Sequence, residues 1–297
     1  MPGSYDVNGR TVFITGAARG IGAGVAERLH AKGANVALVG LEPERLEQLA
    51  AKLGDRAAWF EADVTDLAAL ERAVAATVER FGGIDVAIAN AGISFVDAVA
   101  TAPVDHIERT LAVNLLGVWR TDRAVLPQIR ERKGYLLNIA SLAAAAHAPL
   151  MAPYAASKAG VEAFTNSLRV ELAPTGARVG CAYFGFIDTD LVRHSFEHPA
   201  TKVMQSTMPG FLRRPVPLSR AVDTIERAVE RRAARAWAPR FVGPMLALRG
   251  ILQPLTELRV MRDKRLPEAL RLADPQVTGE VGDPLLGVAA EEPHANQ

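Results

Sequence analysis

What most constrains this chain is a repeated switch between two hydrophobic periods. Short apolar, β-branched runs alternate with helical stretches from Thr11 to Phe184. TVFIT (Thr11 to Thr15) is the first run, and a helix is expected from about Ile21 to Ala31, ending near Gly33. NVALVG (Asn35 to Gly40) precedes a helix over Glu42 to Leu53, stopped by Gly54. AAWFE (Ala57 to Glu61) precedes a helix over Leu67 to Phe81, which ends at Gly82 and Gly83. IDVAIA (Ile84 to Ala89) is followed by a long helix from Val104 to about Arg132, with Gly117 and Pro127 inside it. YLLNIA (Tyr135 to Ala140), a helix from about Tyr154 to Leu172 and RVGCAYF (Arg178 to Phe184) complete the series. Strands separated by helices must run parallel, because each return crosses over the sheet. The strands are apolar on both faces, as a sheet covered on both sides requires. The expected fold is α/β, a doubly wound parallel sheet whose ligands sit at the carboxyl ends of its strands.

Composition sets outer limits. The 297 residues are 49% hydrophobic and 23% charged, enough to bury a large core. Lys and Arg number 34 against 33 Asp and Glu, a balance that offers a polyanion no global field, so nucleic acid is not an expected partner. Cys181 is the single cysteine, which excludes an internal disulfide and suits a reducing compartment. The first ten residues lack the order of a secretory signal, and no apolar run reaches a spanning length, so a cytoplasmic setting is expected. No Cys/His cluster has metal-site spacing, and no metal is expected.

Two motifs carry chemistry. Gly16, Gly20 and Gly22 lie between the first strand and the first helix. Glycines there let a phosphate approach the backbone, and the helix N-terminus offers free N–H groups. By itself the spacing is weak, since any such turn can require glycine; its place after the N-terminal strand favours dinucleotide binding. The second motif is Tyr154 with Lys158, four residues apart on one helix face. A phenol titrates near 10, and an ammonium one turn away is expected to lower that value toward a working acid–base. Ser141, at the end of the preceding strand, is placed to bond a substrate oxygen.

Together these residues make the chain similar to the short-chain dehydrogenase/reductase family, in its branch with a single Rossmann domain. The resemblance spans roughly residues 8 to 190 and weakens toward 240. TGAARGIG (Thr15 to Gly22, including Arg19 and Ile21) matches the family's TGxxxGxG turn. Asp63 and Val64 match a pair implied to contact adenine; Asn90, Ala91 and Gly92 match the NAG motif that borders the cofactor. Asn114 falls where the family has an asparagine supporting a lysine-linked water relay. Ser141, Tyr154 and Lys158 match the catalytic serine and YxxxK. Thr189 holds the position of a threonine implied to bond the nicotinamide carboxamide. One departure stands out: Phe184–Gly185 replaces the family's Pro-Gly, leaving the path of the next loop open.

The resemblance implies an NAD(P)-dependent oxidoreductase moving a hydride between nicotinamide and an alcohol or ketone, with Tyr154 exchanging the proton and Lys158 also binding the nicotinamide ribose. A homo-oligomer, dimer or tetramer, is implied as well. At the end of the second strand stand Gly40, Leu41 and Glu42. Gly40 removes the acid that repels a 2′-phosphate, so NADP(H) is favoured over NAD(H). Glu42 is either a displaced ribose acid or, the favoured reading, a first-turn helix residue; Arg19 is either a 2′-phosphate contact or a solvated turn residue. A catalytically silent dinucleotide-binding regulatory protein is the alternative, but its usual mark is a lost Tyr or Lys, and neither is lost. A serine hydrolase using Ser141 and His147 lacks the G-x-S-x-G elbow; His147, His194 and His198 read as loop residues.

Residues 1–243 are expected to form one catalytic domain, with a substrate loop over 185–217. That loop carries Phe186, Leu191, Val192, Phe196, Val203, Met204, Met208, Phe211 and Leu212. Either these favour a bulky apolar substrate or they pack the loop onto the body. A helix from about Ser219 to Arg232 follows, then Arg235 to Val242, which Pro239 keeps from being a central strand. Residues 244–297 form an extension, helical and then irregular from Asp274. Leu248, Ile251, Leu252, Leu255, Leu258 and Met261 recur at helical spacing among arginines, with breaks at Pro254 and Pro267. Packing on the body or on a second subunit is favoured over membrane contact, because the stripe has no aromatic residues.

Overall fold

A computed structural model describes residues 4–206, 208, 210 and 213–278. Its strands are β1 (Thr11–Thr15), β2 (Asn35–Gly40), β3 (Ala57–Glu61), β4 (Val86–Ala89), β5 (Tyr135–Ser141), β6 (Arg178–Phe184) and β7 (Arg235–Ala238). They form one parallel sheet in the order β3-β2-β1-β4-β5-β6-β7. The doubly wound α/β fold is the one expected. β7 is an edge strand, and Pro239 follows it directly, so the missing N–H costs no ladder bond.

The helices α1 (Gly20–Ala31), α2 (Pro43–Leu53) and α3 (Leu67–Phe81) connect the first four strands. α4 (Val104–Leu111), α5 (Gly117–Glu131) and α6 (Ala152–Leu172) follow β4 and β5. Successive strand residues point to opposite faces, and each face has its own core. Val12, Ile14, Val36, Leu38 and Ile88 pack under α1, α2 and the helix α9 (Leu218–Arg231). Phe13, Ala37, Val39, Ala87 and Leu136 pack under α3, α5 and α6. The expected long helix after β4 is interrupted by a π-helical turn over Ala112–Leu116, which carries Asn114. A widened turn of this kind leaves i→i−4 partners mismatched and re-aims side chains.

After β6 the chain is helical where a loop is expected: α7 (Asp190–Glu197) and α8 (Pro199–Gln205) occupy it. Phe211 and Leu212, two of the expected substrate-loop residues, lie outside the described residues. Beyond β7 come α10 (Val242–Ala247), α11 (Arg249–Met261), α12 (Leu266–Leu272) and α13 (Pro275–Thr278). The tail expected to be irregular from Asp274 begins instead with the helical turn α13, and from residue 279 it lies outside the described residues.

Candidate active site

The sheet changes winding direction between β1 and β4, and the crevice at their carboxyl ends is the place for a ligand. The glycine turn opens there. Gly16 has φ +63°, and a Cβ on it would stand 2.9 Å from the Ala91 Cα. A Cβ on Gly22 would stand 2.2 Å from the Gly16 carbonyl oxygen. The turn therefore admits only glycine at both positions, and Ile21 between them packs against the core. Asn90 braces it: its Nδ2 donates to the carbonyls of Thr15 (3.0 Å) and Gly16 (3.1 Å). The Thr15 hydroxyl accepts from the N–H groups of Asn90 (3.0 Å) and Ala91 (3.3 Å). This role of Thr15 was not apparent from the sequence.

Around the cradle, each expected residue has a definite place. Asp63 accepts from the Thr65 N–H at 2.8 Å. Val64 is buried against Gly117, where a Cβ would come within 2.7 Å of Val64 Cγ2. Arg19 donates to Glu42 at 2.8 Å, and Arg45 reaches the other oxygen of the same carboxylate at 3.2 Å. Arg19 thus engages an acid rather than standing in solvent. Thr189 stands in extended conformation just before α7, its hydroxyl donating to the Ile187 carbonyl at 3.3 Å, and its methyl lies 3.7 Å from where a Gly20 Cβ would be. The glycine turn and the segment after β6 are therefore neighbours.

The second cluster is deeper. The Lys158 ammonium, 4% exposed as a residue, donates to the Ile139 carbonyl at 2.8 Å and sits 5.7 Å from the centre of the Tyr154 ring. Asn114 is fully buried; its Oδ1 accepts from the Ile93 N–H at 2.8 Å and its Nδ2 donates to the Ile93 carbonyl at 2.9 Å. A Cβ on Gly92 would lie 3.3 Å from Asn114 Oδ1 and 3.6 Å from Lys158 Nζ, so Gly92 keeps these two side chains close. Ser157 joins them from the helix, accepting from Asn114 Nδ2 at 3.3 Å and donating to the Tyr154 carbonyl at 2.7 Å. Ser141 ends β5 and caps the short turn over Leu142–Ala144, accepting from the Ala143 N–H at 3.1 Å. Its hydroxyl donates to the Phe184 carbonyl at 3.3 Å and also bonds to Tyr154.

The expected lowering of the Tyr154 pKa is corrected here. Burial pushes the phenol above its ordinary value, and the Ser141 hydrogen bond only partly opposes it. Burial also lowers the lysine itself to about 8, with Cys181 opposing.

Below the site, Asn138 on β5 donates to Asp122 (2.8 Å) and Thr165 (3.0 Å), tying β5 to α5 and α6. Burial lifts Asp122 to about 7. No sequence motif pointed to this triad. The Phe184–Gly185 departure turns out to be supported by backbone pairing: Gly185 N–H bonds to Ala238, and Val216 pairs with Phe186 and Asp188 on the far side of the loop. His147 is exposed and offers its backbone N–H to Gln253 at 2.9 Å. His198 Nδ1 accepts from the Ala200 N–H and caps α8. Among the described residues, no three His, Cys, Asp or Glu side chains gather as a metal site would require.

The segment after β6 (185–217), here called the lid, and the extension are packed together. Ala200 and Met204 on α8 share a cluster with Ala98 and Leu150 on the body and Ala269 and Ala273 of the extension. Met204 therefore packs the lid, whereas Phe186 and Phe196 meet edge-on, 4.9 Å between centroids, and remain partly exposed with Leu191 and Val192. Three polar ties hold the extension: Arg249 makes a two-pronged bond to Glu162 on α6 (2.6 and 3.1 Å), Gln253 holds His147, and Arg265 donates to Ser206 at 2.9 Å.

The sequence profile described as short chain dehydrogenase matches residues 10–200. The chain belongs to the short-chain dehydrogenase family. Similar curated proteins include 2-(R)-hydroxypropyl-CoM dehydrogenase of Xanthobacter autotrophicus, 35% identical over 64% of this chain and 79% of the relative. A 3-oxoacyl-acyl-carrier-protein reductase of Vibrio cholerae is 30% identical over 73% of this chain and 89% of its own length. Among solved structures, a short-chain dehydrogenase/reductase of Brucella melitensis described as glucose/ribitol dehydrogenase superposes with TM-score 0.69 at 33% identity, covering 77% of this chain and 92% of that one. Dehydrogenases and reductases of this family are oxidoreductases, and this chain shares that broad class.

Proposed function

We propose that this short-chain dehydrogenase is an NAD(P)-dependent oxidoreductase interconverting an alcohol and its carbonyl compound. The observation that carries the reading is the convergence of Ser141, Tyr154 and Lys158 beside a cradle that Cβ atoms on Gly16 or Gly22 would fill. That cradle and the free N–H groups of the α1 N-terminus fit a pyrophosphate. Asp63, Val64, Asn90, Ala91, Gly92 and Thr189 frame the rest of the dinucleotide site. A bound nicotinamide supplies or accepts the hydride. Tyr154 carries the proton that goes to or comes from the substrate oxygen, and Ser141 holds that oxygen by a hydrogen bond. With its pKa raised, Tyr154 is protonated at neutral pH, the form that carbonyl reduction uses. Lys158 and Asn114 renew the proton from the buried side, and Lys158 also binds the nicotinamide ribose.

The preferred cofactor in this proposal is NADP(H). In support, Gly40 offers no acid at the end of β2, and Glu42 is already paired with Arg19 and Arg45. The preferred substrate is bulky and apolar, on the strength of Phe186, Leu191, Val192 and Phe196 on the lid side. Residues 1–243 act as the catalytic unit, and the extension from residue 244 walls the substrate entrance, since it is tied both to the 142–151 loop and to α8. Assembly with further copies is part of the same reading, supported by exposed Val104, Leu116, Trp119 and Val170 on the α4–α6 side. The test is a panel of steroid, retinoid, aliphatic and sugar alcohols and ketones with both dinucleotides, read by nicotinamide absorbance. Turnover of the apolar members with NADP(H) is expected; dinucleotide binding without turnover of any member would favour the silent regulatory reading.

A further inference from the structure

The extension presents a face that the fold does not use. On α11 the side chains of Arg249, Gln253 and Val260 point to the body, as their contacts with Glu162, His147 and the α8 cluster show. The opposite side carries Leu248 (50% exposed), Ile251 (65%), Leu255 (60%) and Leu258 (41%), with Met261 (68%) at its margin. None of the helix is buried. The stripe therefore does not pack on the body, the first of the two placements expected from the sequence; a second subunit is the other. The sequence period places Arg259 and Arg262 on this same outward side, and both are exposed. Lys264 and Arg265 follow at once. Asp263, next to Arg262 in sequence, is held by Arg265 at 2.9 Å and also feels the charge of Arg259.

We propose that the outward face of α11 docks on an anionic lipid surface, with Leu248, Ile251, Leu255 and Leu258 entering the interface and Arg259, Arg262 and Lys264 meeting lipid phosphates. Apolar area and cationic charge on one face of a helix is the combination such a surface binds. No described helix is long and apolar enough to cross a membrane, so the contact is peripheral. A second copy fits less well. None of these outward positions is acidic, so the same face of a second copy offers Arg262 no counter-charge. The docking face belongs to the same extension that holds α8 over the catalytic side. If the proposed function is right, an apolar substrate thus leaves the lipid beside the lid.

The test is co-sedimentation of the full-length protein with vesicles of phosphatidylcholine alone or with one-third phosphatidylglycerol. It has no activity readout, so it stands or falls apart from the proposed function. Binding to the mixed vesicles is expected, weak on phosphatidylcholine and reduced by salt. Arg259→Gln and Arg262→Gln should each lower partitioning about fivefold. Leu255→Glu with Leu258→Glu should abolish binding while circular dichroism and dinucleotide affinity stay unchanged, since neither side chain is buried. Absence of binding to the mixed vesicles overturns the proposal. Two results would also name the true occupant. A fall in oligomer size in the Leu255→Glu/Leu258→Glu variant assigns the face to a second copy. Binding that begins only when the chain is ended at Thr278 assigns it to the acidic terminal segment with Glu280, Asp283, Glu291 and Glu292.

Discussion

The glycine turn and the extension lie at opposite ends of the chain and are stabilised in different ways. Around Gly16 and Gly22 the geometry is set by backbone: positive φ, contacts under 3 Å for any added Cβ, and carbonyls held by Asn90. Around α8 and α12 it is set by side chains from three distant segments, with Ala98, Met204 and Ala269 in one cluster. The first kind of site tolerates almost no substitution and, in the proposed function, takes the pyrophosphate common to all dinucleotides. The second kind can be repacked, so a substitution there can alter substrate range or attachment without touching the chemistry proposed.

Four changes sharpen or break that contrast. Gly22→Ala should have the largest effect. Its Cβ would strike the Gly16 carbonyl oxygen, and dinucleotide affinity should fall by about 10²-fold or more, the equivalent of roughly 3 kcal/mol of clash and strain. Isothermal titration checks it; affinity within threefold of the parent would mean the turn yields as the lid does.

Lys158→Met comes next. Burial lowers the lysine from 10.5 to about 8, so the unfolded chain binds more protons between those values and the parent gains stability as pH rises through them. Below about pH 8 the buried charge is a full penalty. The variant should therefore be more stable at pH 7 by about 2 kcal/mol, after allowance for the lost bond to Ile139, and the gain should vanish near pH 10.5. Denaturant titration at several pH values measures this, and a less stable variant at pH 7 contradicts it.

Ala269→Asp puts an acid into the α8–α12 cluster, where the alanine is fully buried. KM for an apolar substrate should rise about tenfold, the order of 1–2 kcal/mol expected when a packed contact is lost, with dinucleotide affinity unchanged. A parallel loss of dinucleotide affinity would show the two regions to be one unit. The smallest effect is expected from Glu42→Gln, which removes the acid shared by Arg19 and Arg45 and leaves Arg19 with Asp190 at 3.8 Å. The ratio of kcat/KM for NADP(H) over NAD(H) should rise about threefold, consistent with partly exposed ion pairs. A fall would make Glu42 the ribose acid after all.

How much of this was legible in the sequence follows the same contrast. The alternation of strands and helices, the glycine turn and the Tyr154–Lys158 pair depend on short spacings, and a pattern of residues displays them directly; the order of the strands in the sheet does not. Asn114 was locatable only through a family motif. The π-helical turn that aims it is a slip in backbone bonding with no signature in composition. The Asp122–Asn138–Thr165 triad joins three elements and reads as scattered polar residues in apolar segments. α7 and α8 were hidden because the composition of residues 185–217, rich in Pro, Met, Phe and His, suggested a loop, while Pro199 at the first turn of α8 is well tolerated. The periodic stripe of α11 was visible, but periodicity alone does not say which side faces water. Arg249 and Gln253, the residues that decide it, find their partners about a hundred positions away.

The central claim is that Tyr154 exchanges the proton at a site built beside a dinucleotide cradle. Tyr154→Phe removes the hydroxyl and little volume. With any substrate the panel identifies, kcat should fall by about 10²-fold or more, while the dissociation constant for the dinucleotide stays within about twofold. Near-parental kcat in that variant, with dinucleotide binding intact, contradicts the account.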